Sequence, residues 1–117
     1  MWSNRLEVGG NMEISKQDWL LFRKKIGEWQ EAYMEKLLLE YAELLRSESL
    51  ASEKFWELEK RIKNDKRSRG VVLEIRKQNV IYDLVAMIVD DIITLDDLED
   101  FSDDLKDAVR FMVTQRS

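Results

Sequence analysis

Residues 15–46 read SKQDWLLFRKKIGEWQEAYMEKLLLEYAELLR, and the spacing of their large apolar side chains decides the fold class. Trp19, Phe22, Ile26, Trp29 and Tyr33 step by 3, 4, 3 and 4 residues, which places all five on one side of an α-helix. Past Tyr33 the stripe drifts to Leu37, Tyr41, Leu44 and Leu45, the slip expected of a straight 3.6-period helix relative to a strict heptad. Leu38 and Leu39 widen the apolar face. The start is marked by Ser15 as N-cap, Asp18 in the capping-box position, and Ile14 with Trp19 as a hydrophobic staple. The spacing predicts a helix to about Arg46, some 30 residues and roughly 45 Å long.

Working outward, residues 1–11 contain Gly9 and Gly10 and no helical periodicity. They are expected to form a flexible lead-in, with Met12 a natural start for a single all-α domain over 12–117. After the long helix, SESLASEKF (47–55) offers serine caps for a second helix, with Phe55, Leu58 and Ile62 on one face and Lys54, Lys60, Arg61 and Lys63 around it. NDKRSRG (64–70) reads as a turn. A third helix is expected to begin between Ser68 and Val71. From Val80 to Val89 only Asp83 interrupts its apolar character, the pattern of a buried central helix. Asp90 and Asp91 end it, Ile92 and Ile93 cross over, and Thr94 with Asp97 caps a fourth helix carrying Leu98, Phe101, Leu105, Ala108 and Met112. The expected architecture is a single-domain four-helix bundle with a long N-terminal helix.

Composition agrees with that class. There is no Pro, only four Gly, and 37% charged residues. Cys and His are both absent. That removes disulfides, thiolate chemistry, the commonest acid–base catalyst and the usual transition-metal ligand. The N-terminus has no apolar signal-peptide core, and the longest apolar run, LVAMIV at 84–89, is far short of the roughly 20 residues a membrane span needs. A cytoplasmic protein is expected.

The net charge of −5 is unevenly spread. Residues 48–78 carry 9 basic and 6 acidic side chains, whereas 79–117 carry 3 and 10. The acidic end is concentrated in DDIITLDDLEDFSDDL (90–105), half of which is Asp or Glu. A calcium loop would need a Gly for its turn and converging oxygens, and this stretch has no Gly. A carboxylate-bridged metal site in a bundle calls for inward-facing acids, commonly paired with His. The acids here lie off the apolar seam, so no metal, cofactor or catalytic residue is assigned. On one continuous helix, Asp96–Asp100, Glu99–Asp103, Asp100–Asp104 and Asp103–Asp107 would be like-charge neighbours, which suggests that something basic neutralises them. Asp96, Asp97, Asp100, Asp103 and Asp104 are therefore candidate partner-binding residues. Lys63, Lys66, Arg67 and Arg69, on the basic corner of 60–77, are candidates for contacting nucleic acid, although the acidic chain as a whole argues against that use. Trp19, Phe22, Trp29 and Tyr33 read as core or as a self-association seam. Trp19, Trp29 and Tyr33 could alternatively line a site for a flat apolar ligand.

Three segments, WQEAYMEKL (29–37), KRIKNDKRSRGV (60–71) and ITLDDLEDFSDDLK (93–106), give the chain a further bearing. Together they resemble a group of small all-helical Firmicutes proteins, some labelled "multidrug transporter". The resemblance spans about residues 12–112 and implies a bacterial all-α domain with no established active site to carry over. It departs at Arg69, where a proline is expected before the turn glycine. The transporter label does not fit a sequence with no spanning segment. The function expected is a small non-enzymatic interaction protein, an adaptor or an accessory or inhibitory protein. It would form a homodimer through the first helix and meet an unknown protein partner through its acidic C-terminal helix. The alternative is a nucleic-acid-associated regulator.

Overall fold

The computed structural model describes residues 13–116; the expected lead-in at 1–11 and Met12 lie outside them. The fold is all-α. Helix α1 spans Lys16–Arg46, α2 Ala51–Asp65, α3 Val80–Val89 and α4 Asp103–Arg116, with short 3-10 turns at Lys77–Asn79 and Leu95–Leu98. The molecule measures 62 × 25 × 22 Å, and its radius of gyration of 17.5 Å exceeds the roughly 13 Å of a compact 100-residue domain.

The elongation has a simple origin. Hydrophobic burial is concentrated in a body built from the first half of α1 and from residues 80–113. Ile14, Phe22 and Ile26 meet Val80, Ile81, Leu84, Val85 and Met87 of α3, then Ile93, Leu98, Phe101, Leu105 and Val109. The second half of α1 leaves this body and pairs with α2 as a protruding arm. Only Leu37 is buried in that half of α1, and α2 buries no residue at all.

Most local expectations hold. Ser15 caps α1, its Oγ accepting the Asp18 N–H at 3.0 Å. α3 is the buried central helix, with seven buried residues out of ten. It ends in a Schellman motif: Ile92 N–H donates to Met87 O at 2.8 Å and Asp91 N–H to Ile88 O at 3.0 Å.

Three boundaries differ. The third helix begins at Val80, not near Ser68–Val71; residues 72–76 have no helical hydrogen-bonding pattern. Val71 and Val72 are β-branched and helix-averse, and half-buried Leu73 packs on the core from outside any helix. No serine caps α2. Leu50 occupies its N-cap, and Glu53 Oε1 accepts the Leu50 N–H at 3.3 Å. Ser47 instead closes α1, its Oγ donating to Leu44 O at 2.7 Å. The predicted fourth helix is two elements. Thr94 and Asp97 cap only the 3-10 turn, and α4 starts afresh at Asp103.

The break before α4 is held from the far end of the sequence. Buried Asp18 accepts the Ser102 backbone N–H at 3.0 Å and the Ser102 hydroxyl at 2.6 Å, while Ser102 Oγ accepts the Leu105 N–H at 3.2 Å. Asp18 thus serves two helix starts, one through its backbone and one through its carboxylate.

Candidate protein-interaction surface

Three carboxylates of the acidic run, those of Asp97, Asp100 and Asp103, are engaged within the chain. Asp97 Oδ2 accepts the Thr94 N–H at 2.7 Å and its hydroxyl at 3.2 Å. Asp100 pairs with Lys25 of α1 at 3.7 Å, Asp103 with Lys106 at 3.4 Å, and Asp107 with Arg110 at 3.0 Å. Asp96 and Asp104 are exposed and take no ion pair among the described residues. Because the chain breaks between Glu99 and Asp103, of the four like-charge pairs only Asp103–Asp107 lies within one α-helix. Asp103 and Asp104 fall in the first turn of α4, where the helix dipole favours negative charge by about 0.3–1 kcal/mol each. No three acidic side chains among the described residues converge to hold a metal ion.

The basic corner does not neutralise this run. Lys63, Lys66 and Arg67 are exposed and unpaired among the described residues. Arg69 is committed elsewhere: its Nε donates to Asp83 Oδ1 at 3.1 Å. Asp83 is 5% exposed, and its Oδ2 has no hydrogen-bond partner. Burial raises its carboxyl above the ordinary range, with Arg69 acting in the opposite direction through its hydrogen bond and charge.

Arg69 belongs to the joint that fixes the arm to the body. Gln30 Nε2 donates to Arg69 O at 3.0 Å, and Tyr41 donates its hydroxyl to Asp65. Burial first, and then that hydrogen bond, push the Tyr41 hydroxyl up to about 12. Gly70 is buried under the Tyr33 ring; a Cβ on it would lie within 2.8 Å of three ring carbons. Only glycine lets the turn come this close to α1.

The residues expected to form a self-association seam lie in the chain's own interior. Phe22 is fully buried. Trp29 meets it edge-on at 6.3 Å and stacks on Phe101 at 6.3 Å. Trp19 packs on the core with Arg23 over its ring at 5.5 Å, and Tyr33 covers Gly70. Each is satisfied within one chain.

Exposed apolar side chains stand on the body, where Leu20 is 50%, Val89 45% and Phe111 65% exposed, and on the arm. Leu38 is 63% exposed, Leu45 50%, Phe55 63% and Ile62 39%. The sides of the helices that face each other are set by the buried and half-buried positions, around Leu37, Tyr41 and Leu44 on α1 and Lys54, Leu58, Arg61 and Asp65 on α2. At about 100° per residue, Leu38 and Leu45 lie roughly 80–100° around α1 from that line. Phe55 and Ile62 lie roughly 80–100° around α2 in the same rotational sense. Because the helices are antiparallel, the same sense turns both stripes to one side of the arm. The other side carries Lys36, Glu40 and Glu43 from α1 and Glu53, Lys60 and Asn64 from α2. The arm is a helical hairpin with this apolar side bare, and Leu39 and Trp56, each 65% exposed, stand on its outer flanks. The readable signal for it was the Phe55–Leu58–Ile62 stripe together with an α1 face too wide for one neighbour.

Fold and surface together define an all-α protein with a hydrophobic-cored body and a projecting helical arm that exposes apolar side chains. Comparison with known protein families, curated proteins and solved structures finds no match. Among the described residues no helix is long and apolar enough to cross a membrane.

Proposed function

We propose that the chain is a non-enzymatic, cytoplasmic protein-interaction module that presents the apolar side of its α1–α2 arm to another polypeptide. The observation that carries this reading is the arm's bare stripe of Leu38, Leu45, Phe55 and Ile62. Monomeric proteins rarely expose contiguous apolar patches beyond a few hundred Å2, and larger ones mark binding surfaces. An apolar helical face of this kind is the half of a helix-on-helix contact that a partner helix completes. The reading places the docking surface on the arm and not on the acidic end. A photoreactive phenylalanine analogue at position 55, compared with one at Lys60 on the polar side, tests it in cells. Protein adducts are expected from position 55 and not from position 60. Equal labelling from both, or none from either, removes the arm as an interaction surface.

A second reading, nucleic-acid association through Lys63, Lys66 and Arg67, is favoured by the exposure of these three cations without intramolecular partners. Its signature is binding that weakens steeply with salt, and no binding at low salt would end it.

A further inference from the structure

We infer that the apolar side of the arm is covered by a second copy of this chain. The two arms lie face to face about a two-fold axis parallel to their helices, with α1 of each copy resting on α2 of the other. The inference rests on the interaction reading above and identifies its partner.

Charge along the edges of the apolar side selects this occupant. Beyond the stripe on α1 stand Glu31 and Glu35, with Arg46, paired to Glu43, at the helix end; beyond it on α2 stand Lys63 and Lys66, with Glu59 nearer the start of the helix. Glu31, Glu35, Lys63 and Lys66 are exposed, and none has an ion-pair partner among the described residues. Their heights along the arm match. The Tyr41–Asp65 hydrogen bond and the Tyr33–Gly70 contact set Lys66 within about one helical turn of Glu35, roughly 5 Å along the axis. Rotation about an axis parallel to the helices preserves height and lays the acidic edge of each α1 along the basic edge of the other α2. Each chain therefore carries both halves of a self-complementary, isologous contact. The other face-to-face arrangement, with α1 on α1, sets Glu35 against the acidic edge of its own copy and is disfavoured by like charge.

Size points the same way. The arm is about 24 Å long and two helices, about 20 Å, across. That flat footprint of about 500 Å2, corrugated by its side chains, approaches the roughly 800 Å2 per partner of a standard interface. Two such hairpins complete a four-helix bundle with Leu38, Leu45, Phe55 and Ile62 from each chain at its centre.

Sedimentation equilibrium of the purified full chain tests the inference. The expected result is a particle of twice the 14.0 kDa chain mass at about 100 µM. Phe55→Asp combined with Ile62→Asp gives a monomer that keeps its helical circular dichroism. Glu35→Lys weakens the dimer by about fivefold, the scale of rim ion pairs replaced twice over, and Lys66→Glu added in the same chain restores it. An α1-on-α1 dimer would instead be strengthened by Glu35→Lys, which relieves its like-charge contact. A monomer at this concentration, a dimer insensitive to the Phe55 and Ile62 changes, or a failed charge rescue each overturns the inference. If the chain is monomeric yet position 55 still labels a different protein in cells, the interaction reading survives and only the second copy is lost.

Discussion

Asp91, with φ of 61°, is the single non-glycine residue in the left-handed region among those described, and it sits where helices prefer glycine. It occupies the C′ position of the Schellman motif that ends α3. There an L-residue bears a steric penalty, and a carboxylate faces the negative end of the helix dipole. Asp91→Gly should therefore stabilise the fold by about 0.5–1 kcal/mol, read as a rise in the urea midpoint with an unchanged slope. Gly70 is the opposite case. Gly70→Ala forces the Tyr33 ring off the turn and should cost about 1–3 kcal/mol, with the loss centred on the arm. Asp83 sets a pH dependence. Its folded-state pKa is raised above the ordinary 3.8, so the folded chain holds this proton more tightly than the unfolded chain. The stability it contributes is complete below that ordinary value and is lost as pH rises through the folded one. At neutral pH the ionised, half-satisfied carboxylate is a liability. Asp83→Asn should then raise the melting temperature at pH 7 and match the parent at about pH 3; a drop at pH 7 would mean that the Arg69 pair outweighs the cost of burial.

At the scale of elements, α2 is the outlier. A 15-residue helix is marginal in isolation, and α2 has no buried residue to hold it. Its ties are polar or peripheral: Lys54 Nζ donates to Leu45 O at 2.9 Å and Ser47 O at 3.1 Å, and Tyr41 reaches Asp65. In dilute solution its amides should exchange faster than those of α3, and their protection should climb as protein concentration rises. Concentration-independent exchange in α2 would contradict a two-chain arm. The start of α1 and the burial of α3 were legible in the sequence because their signals are local: a serine cap, a 3.6-residue stripe, ten nearly uninterrupted apolar positions. The break before α4 was not. Leu98, Phe101 and Leu105 keep helical spacing straight through it, and its cause, the Asp18 carboxylate, lies 84 residues away. The start of α3 was obscured likewise, since Val71, Val72 and Ile75 extend its apolar character backwards without joining the helix. On the arm, the stripes of both helices could be read, but not that no other element among the described residues comes to cover them. Of the residues read as core or as a self-association seam, Trp19, Phe22 and Trp29 join the core and Tyr33 covers Gly70.

For the whole molecule, body and arm make different demands on stability. The body is built on a single cluster that includes Phe22, Leu84, Met87, Leu98 and Val109, all fully buried. On the inference above, the arm completes its burial by pairing. The melting temperature of the full chain should accordingly rise with concentration, whereas that of the Phe55→Asp, Ile62→Asp variant should stay flat; calorimetry over a hundredfold dilution, about 2.7 kcal/mol of mass action at most, separates the two. The placement of the arm between two halves of the body has a bearing on turnover. Five basic residues between Lys60 and Arg67 sit in the last turns of α2 and just past its end, so a trypsin-like protease finds its easiest cuts there whenever α2 frays. A nick at those bonds severs the backbone but not the core, because residues 14–26 and 80–109 remain interlocked on either side of it. Pairing would shield the same bonds, and the lifetime of an intact chain would then depend on how many of its own copies surround it.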